Sequence, residues 1–286
     1  MSAASHLRWD ARPELHHPVV IAAFEGWNDA GDAASTAARW LRTRWAPDPF
    51  AEIDAEDFFD FTATRPHVRL VEGETREIEW PSTELTSGRG GGVDAIVVLG
   101  TEPQLKWKTY CDQVVAVARE YDARLVLTLG ALLAEVPHTK PTSVMGTAVD
   151  DDLIERLDLR RSSYEGPTGI VGVLQDACAR AGVPSASLWA AVPSYVPGAP
   201  SPKAALALVE RISELLAVPV LTTDLQIASA AYERQVSDVV TDDEEMSEYV
   251  ERLEERYAAD GEDGEVPMTD GLVEEVERFL REQRGG

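Results

Sequence analysis

The chain has 286 residues, with 26 Lys and Arg against 51 Asp and Glu, and so a formal charge of −25 at pH 7. At this length a protein buries about three quarters of its unfolded surface and needs neither disulfide nor metal to hold a core; the 44% hydrophobic content is that of a globular chain. The excess of acid excludes nucleic acid and anionic membranes as partners, because both are held through Lys and Arg.

Met1 to His17 is polar, and the apolar run Val19–Phe24 that follows is too short for a secretory leader. Nowhere does an apolar stretch approach the ~20 residues of a membrane helix. Val19–Phe24, Ala95–Leu99, Leu125–Leu129 and Ser187–Val192 are short, nearly unbroken apolar runs bounded by Gly, Pro or charge. Such runs suit strands buried on both faces of a parallel sheet, with those at Val19, Ala95 and Leu125 at its centre. Val68, Leu70, Ile78 and Trp80 alternate with polar residues on either side of Gly73-Glu74, the pattern of a β-hairpin. The stretch Ser87–Gly92 that follows reads as a flexible loop.

Helical stripes lie between the runs. Ala33–Leu41 follows the capping residues Asn28, Asp29 and Asp32. Trp107, Tyr110, Cys111, Val114, Ala118 and Tyr121 form one apolar face, and Ile170, Val173, Leu174, Ala177 and Ala181 another, stopped by Gly182 and Pro184. Ser201-Pro202 is a cap followed by proline at the first helical position, ahead of Ala205, Leu208, Val209, Ile212 and Leu216. Strands alternating with helices imply an α/β fold with a mostly parallel sheet flanked by helices. Cys111 and Cys178 sit in the helical stripes without metal spacing, which implies small core thiols in a reducing cytosol.

From Asp224 onward, twenty acids face six bases, a net of −14. The chain therefore divides into an α/β core, 1–222, and an acidic helical extension, 223–286. Thr223 with Gln226, and Thr241 with Glu244, have capping-box spacing. Two stripes, Met246–Tyr257 and Leu272–Leu280, flank a charged linker and must bury against the core or against a second subunit.

In an open α/β sheet, ligands bind beyond the carboxyl ends of the strands. The corresponding loops are Glu25–Gly31, Gly100–Pro103, Gly130–Lys140 and Pro193–Tyr195. They bring Glu25, Trp27, Asn28, Asp29, Thr101, Glu102, His138, Thr139 and Lys140 to one rim, a set able to exchange protons or hold a polar ligand. Asn28 and Asp29 serve equally as caps and loop fixers. Gly166–Gly169 opens a helix whose amides face an anion or are capped by Thr168. His16, His17 and His67 read as solvated surface residues. No Gly-x-Ser-x-Gly elbow, His-Glu-x-x-His, Walker loop or Cys-x-x-Cys is present. No catalytic residue, metal or cofactor is assigned.

Phe24-Glu-Gly-Trp-Asn-Asp-Ala-Gly-Asp-Ala-Ala34 resembles the N-terminal signature of the proteasome assembly chaperone 2 family. Gly100–Pro103, Leu129-Gly130 with Val136–Thr139, Gly146-Thr147, Glu165–Ile170, Ser187–Val196 and Ser201–Ala204 resemble the same family in the same order, over about residues 18–217. The acidic extension and the Arg-rich, Lys-poor makeup are most similar to the actinobacterial branch. The resemblance implies a phosphorylase/hydrolase-like fold, a cytoplasmic and non-enzymatic protein, self-association as a trimer, and binding to proteasome subunits. Some members dock through a hydrophobic-Tyr-any tail, which Arg284-Gly285-Gly286 does not match. The alternative reading is a nucleoside-type hydrolase or phosphorylase, or a ligand sensor, that uses the rim.

Overall fold

The computed structural model describes residues 6–71 and 75–260. Among them, eight strands form one sheet: β1 (Leu7–Trp9), β2 (Val19–Glu25), β3 (Asp48–Ile53), β6 (Thr83–Gly90), β7 (Val93–Thr101), β8 (Leu125–Ala134), β9 (Val144–Ala148) and β10 (Ser185–Pro193). Their order is β1-β3-β6-β7-β2-β8-β10-β9. The middle strands β7, β2, β8 and β10 run parallel. Antiparallel strands extend the sheet on both sides. The three runs expected at the centre are therefore the central strands β2, β7 and β8.

Alternation along those strands loads both faces. Val19, Ile21, Ala23, Val97, Leu127 and Leu129 face one core, which holds α1 (Ala33–Trp45) and α5 (Pro202–Leu216). Val20, Ala22, Phe24, Ile96, Val98 and Val126 face the other, against α2 (Trp107–Glu120) and α4 (Ile170–Ala181). Each buried Val, Leu or Phe contributes about 1.5–3 kcal/mol, so the unbroken runs stabilise both layers at once. Cys111 of α2 and Cys178 of α4 are buried free thiols, each pushed up to about 12 by burial first. They are packing residues, not nucleophiles.

Ser87–Gly92 is not a loop. Its first residues complete β6, and Gly91-Gly92, both with positive φ, turn the chain into β7. Glycine is required by an indole: a Cβ on Gly90 would lie 2.6 Å from Trp45 Cβ and closer still to its ring. Close approach, rather than flexibility, explains the glycines. Likewise Gly130 belongs to β8, opposite Trp189 of β10, where a Cβ would meet the ring at 2.5 Å. The loop expected from Gly130 thus begins only after Ala134.

β4 (His67–Val71) and β5 (Thr75–Glu79) pair as the expected hairpin, with Val68 opposite Ile78. The turn at Gly73-Glu74 lies outside the described residues. A short helix, α3 (Asp151–Leu157), is capped by Asp150, whose side chain accepts from Leu153 N at 3.0 Å.

After α5, α6 (Thr223–Thr241) and α7 (Glu244–Asp260) turn back onto the core. Leu225 joins the core beside α1 and α5, while Tyr232, Val236, Val240 and Val250 pack with Tyr195, Val196 and Met246. Ser201 caps α5 as expected, accepting from Ala204 N at 3.3 Å. The two capping boxes are displaced by one or two residues. Gln226 bonds back to Thr222, the residue preceding α6, and Asp243 accepts from Met246 N at the start of α7. Thr241 closes α6 instead of opening α7, because the two helices meet across a tight turn. The Leu272–Leu280 stripe and the terminal Arg284-Gly285-Gly286 lie outside the described residues.

Candidate functional site

The strand-end rim divides into two clusters. The first is built by the β2 loop, the end of β7 and the start of α4. Asp29 is buried, and its Oδ1 accepts from Ala34 N at 2.7 Å and Ser35 N at 3.1 Å, which caps α1 from outside the helix. Burial, the largest effect, pushes the Asp29 carboxyl above its ordinary range against these bonds. The Asn28 main-chain oxygen accepts from Ala131 N at 2.8 Å, and its buried Oδ1 has no partner among the described residues. Trp27 packs against Leu132, Ala134 and Ala191. Glu25 pairs with Arg39, and its main-chain oxygen accepts from Glu102 N at 2.8 Å. Thr101 lies opposite Glu25 in the β2–β7 ladder.

Glu102 decides what the first cluster does. Its Oε1 accepts from Ile170 N at 2.8 Å, so the carboxylate of the residue that follows β7 caps α4 across 68 residues of chain. The N-cap residue itself is Gly169, not Thr168, and Thr168 is exposed with its hydroxyl over Gly172. A Cβ on Gly169 would meet Glu102 Oε1 at 2.8 Å and run into Asn28 Oδ1. Only glycine admits both side chains at this point. The anion expected at the α4 N-terminus is therefore the chain's own, which complements the helix dipole. Burial raises the Glu102 pKa more than the amide bonds lower it.

His138 heads the second cluster and makes no hydrogen bond to the first. The β8 loop folds it under the C-terminal helices, where it is 3% exposed. One ring nitrogen, Nδ1, lies 2.8 Å from the Tyr195 hydroxyl, and Nε2 lies 2.9 Å from the Ser237 hydroxyl of α6. Tyr195 also accepts from His138 N at 2.7 Å. Lys203 of α5 donates to the His138 main-chain oxygen and to Glu233 of α6, the latter at 2.6 Å. Burial and the Lys203 charge hold the His138 pKa below its usual value, so the ring is neutral at pH 7. Thr139 bonds to Glu254, and Arg256 to Glu135, fastening α7 to the same loop.

Tyr195, Lys203, Glu233 and Ser237 were not singled out from the sequence. For Tyr195 and Lys203 the available signal was their place in the blocks Ser187–Val196 and Ser201–Ala204. Glu233 and Ser237 carried no local signal. Among the described residues, no group of three or more His, Cys, Asp or Glu could hold a metal ion.

The model of the PAC2 family matches residues 23–240, through both clusters and across α6. The chain belongs to the PAC2 family. A PAC2 family protein from Streptomyces avermitilis is 47% identical, with a TM-score of 0.75, covering 82% of this chain and 99% of that one. A Mycobacterium tuberculosis proteasome-assembly chaperone homologue is 44% identical, with a TM-score of 0.74, over 81% of this chain and 99% of its own. An archaeal proteasome activator from Pyrococcus furiosus shares the fold alone, at 19% identity and a TM-score of 0.67, over 82% of this chain and 97% of that one. No curated protein matches the chain. In this PAC2 chain no described helix is long and apolar enough to cross a membrane.

Proposed function

We propose that this PAC2 family chain is a non-enzymatic, cytoplasmic assembly-chaperone-like protein that self-associates as a trimer and binds proteasome subunits. The observation that carries this reading is the 44% identity to a proteasome-assembly chaperone homologue over 99% of that protein. The rim supports it. Asp29 and Glu102 accept main-chain amides as helix caps, and His138 ties the β8 loop to α6, so these three titratable groups of the rim serve the packing of the fold. The division into a core, 1–222, and an acidic extension, 223–286, belongs to the same reading, with the extension stabilising the assembly rather than reacting.

Self-association has a candidate surface. On the hairpin, Val68, Leu70 and Ile78 are 56–61% exposed, and Trp80 beside it 50%. Arg69 pairs with Glu77 and Glu79 along the hairpin. An isolated two-stranded sheet is marginal in water, and an apolar face of this kind is stabilised by a second copy of the chain.

Affinity purification of the tagged full chain from its native lysate, read by mass spectrometry, tests the role. Enrichment of proteasome subunits over a Val68→Glu/Ile78→Glu control of equal stability is expected. Equal recovery of those subunits by a bare tag overturns the reading. So does turnover of a nucleoside or phosphate ester that is lost in Glu102→Gln.

A further inference from the structure

Two bare apolar patches lie at opposite ends of β7. The first is the hairpin face of Val68, Leu70 and Ile78, with Trp80 beside it. β4 and β5 form a sheet of their own and are exposed on both faces along most of their length, so the hairpin stands out from the body as an arm. Trp80 leads into Thr83, which pairs with Gly100 near the carboxyl end of β7. The second patch is at the start of α6. Leu221 and Ile227, at 88% and 67%, are the two most exposed large apolar side chains among the described residues. Val218, three residues before Leu221, lies against Gly91 in the turn that enters β7 at its amino end. β7 has nine residues, a span of roughly 26 Å.

The helix that carries the second patch is apolar on two sides. Leu225, Tyr232, Val236 and Val240 are buried along its inner side. Ile227 lies opposite, flanked at helical spacing by Ala230 and Ala231. A surface helix keeps one apolar stripe, whereas one with two is covered on both.

We propose that the hairpin arm of one copy docks on the Leu221–Ile227 patch of the next, a head-to-tail contact that repeats around the trimer; the inference rests on the self-association proposed above. A two-fold contact would instead set each patch against itself. Hairpin on hairpin would crowd Arg76, which shares the apolar face opposite Leu70, against its own counterpart. It would also leave Leu221 and Ile227 in water. Head-to-tail docking covers both patches in every copy. It carries Arg76 towards the C-terminal helices, where residues 224–260 hold twelve acids against three bases, a net of −9. Contacts between unlike patches close into a ring when the rotation from copy to copy divides the circle, and a trimer is that ring at three.

Two full-length variants, Val68→Cys and Ile227→Cys, prepared separately, test the contact. Cys111 and Cys178 are buried, so a short bismaleimide reports on the added thiols. Cross-linked dimer is expected when the two preparations are mixed and left to exchange subunits, and little or none from either alone. Dimer from Val68→Cys alone marks a two-fold hairpin contact and overturns the proposal. So does a mixture that keeps the oligomeric size of the wild type and yields no cross-link. Leu221→Glu/Ile227→Glu alters only exposed side chains. By light scattering it is expected to fall to the mass of a single chain with its melt retained. Unchanged mass in that variant overturns the docking site and leaves self-association standing, whereas a wild-type chain of single-chain mass overturns both.

Discussion

Glu102 and Asp29 show how a single carboxylate can resemble a catalytic acid while serving as a cap. Both are largely removed from water and have raised pKa values, the usual marks of an active-site acid. Both also accept main-chain amides at a helix start, at 2.7–3.1 Å. Gly169 is the residue that makes the Glu102 cap possible. Gly169→Ala is expected to destabilise the fold by about 1–3 kcal/mol, the range for overpacking a tight site. Urea unfolding measures it; an unchanged midpoint would show that Asn28 and Glu102 rearrange without cost. His138 supplies a second residue-scale prediction. Its folded pKa is depressed below the ordinary 6.5, so the unfolded chain binds the proton more tightly. The stability it contributes is complete above about pH 6.5 and is lost as pH falls through the folded value. Melting curves at pH 7.5 and 5.5 are expected to separate more for the wild-type chain than for His138→Gln. Equal separation would mean that His138 is not buried as neutral imidazole.

The C-terminal helices illustrate the element scale. The Met246–Tyr257 stripe could have covered the core or a neighbouring subunit, and within the described residues it lies on its own core, with Val250 and Leu253 buried. Leu225 enters the central core, and the Trp40 indole donates to Asp224 at 3.0 Å. Together with the Ser237 and Glu233 bonds, these contacts make α6 part of the fold rather than a tail. Truncation after Thr222 is expected to lower the melting temperature and cause aggregation, because it uncovers Trp40, Tyr195 and His138. A shortened chain that melts like the full one would contradict this, whatever its oligomeric size.

For the whole molecule, charge and apolar surface pull in opposite directions. The net −25 opposes the approach of copies in low salt, and the exposed apolar face of the hairpin is the surface proposed to overcome it. Sedimentation or light scattering of the wild-type chain is expected to give a trimer. Val68→Glu/Ile78→Glu is expected to give smaller species with the melt of the core retained, since both side chains are more than half exposed. Unchanged size in that variant would move the subunit contact elsewhere.

What the sequence alone determined is whatever rests on short-range pattern. Val19–Phe24, Ala95–Leu99 and Leu125–Leu129 had to be central strands, since unbroken apolar runs are stable only when covered on both faces. The stripes from Trp107, Ile170 and Ser201 had to be helices, and Gly182 and Ser201 had to end and begin them. Tertiary structure alone decided the remainder, because the deciding partners are far apart along the chain. Trp45 turns the glycine-rich Ser87–Gly90 from loop into strand. The short outer strands at Leu7, Asp48 and Val144 carry too little apolar pattern to be read without the neighbours that pair with them. Glu102 replaces Thr168 as the cap of α4 only when β7 and α4 are brought end to end. In sequence the rim is continuous, because each loop follows a strand of the same sheet. In the fold, His138 takes its hydrogen bonds from Tyr195 and from Ser237 of α6, as a buried imidazole must from the groups packed against it.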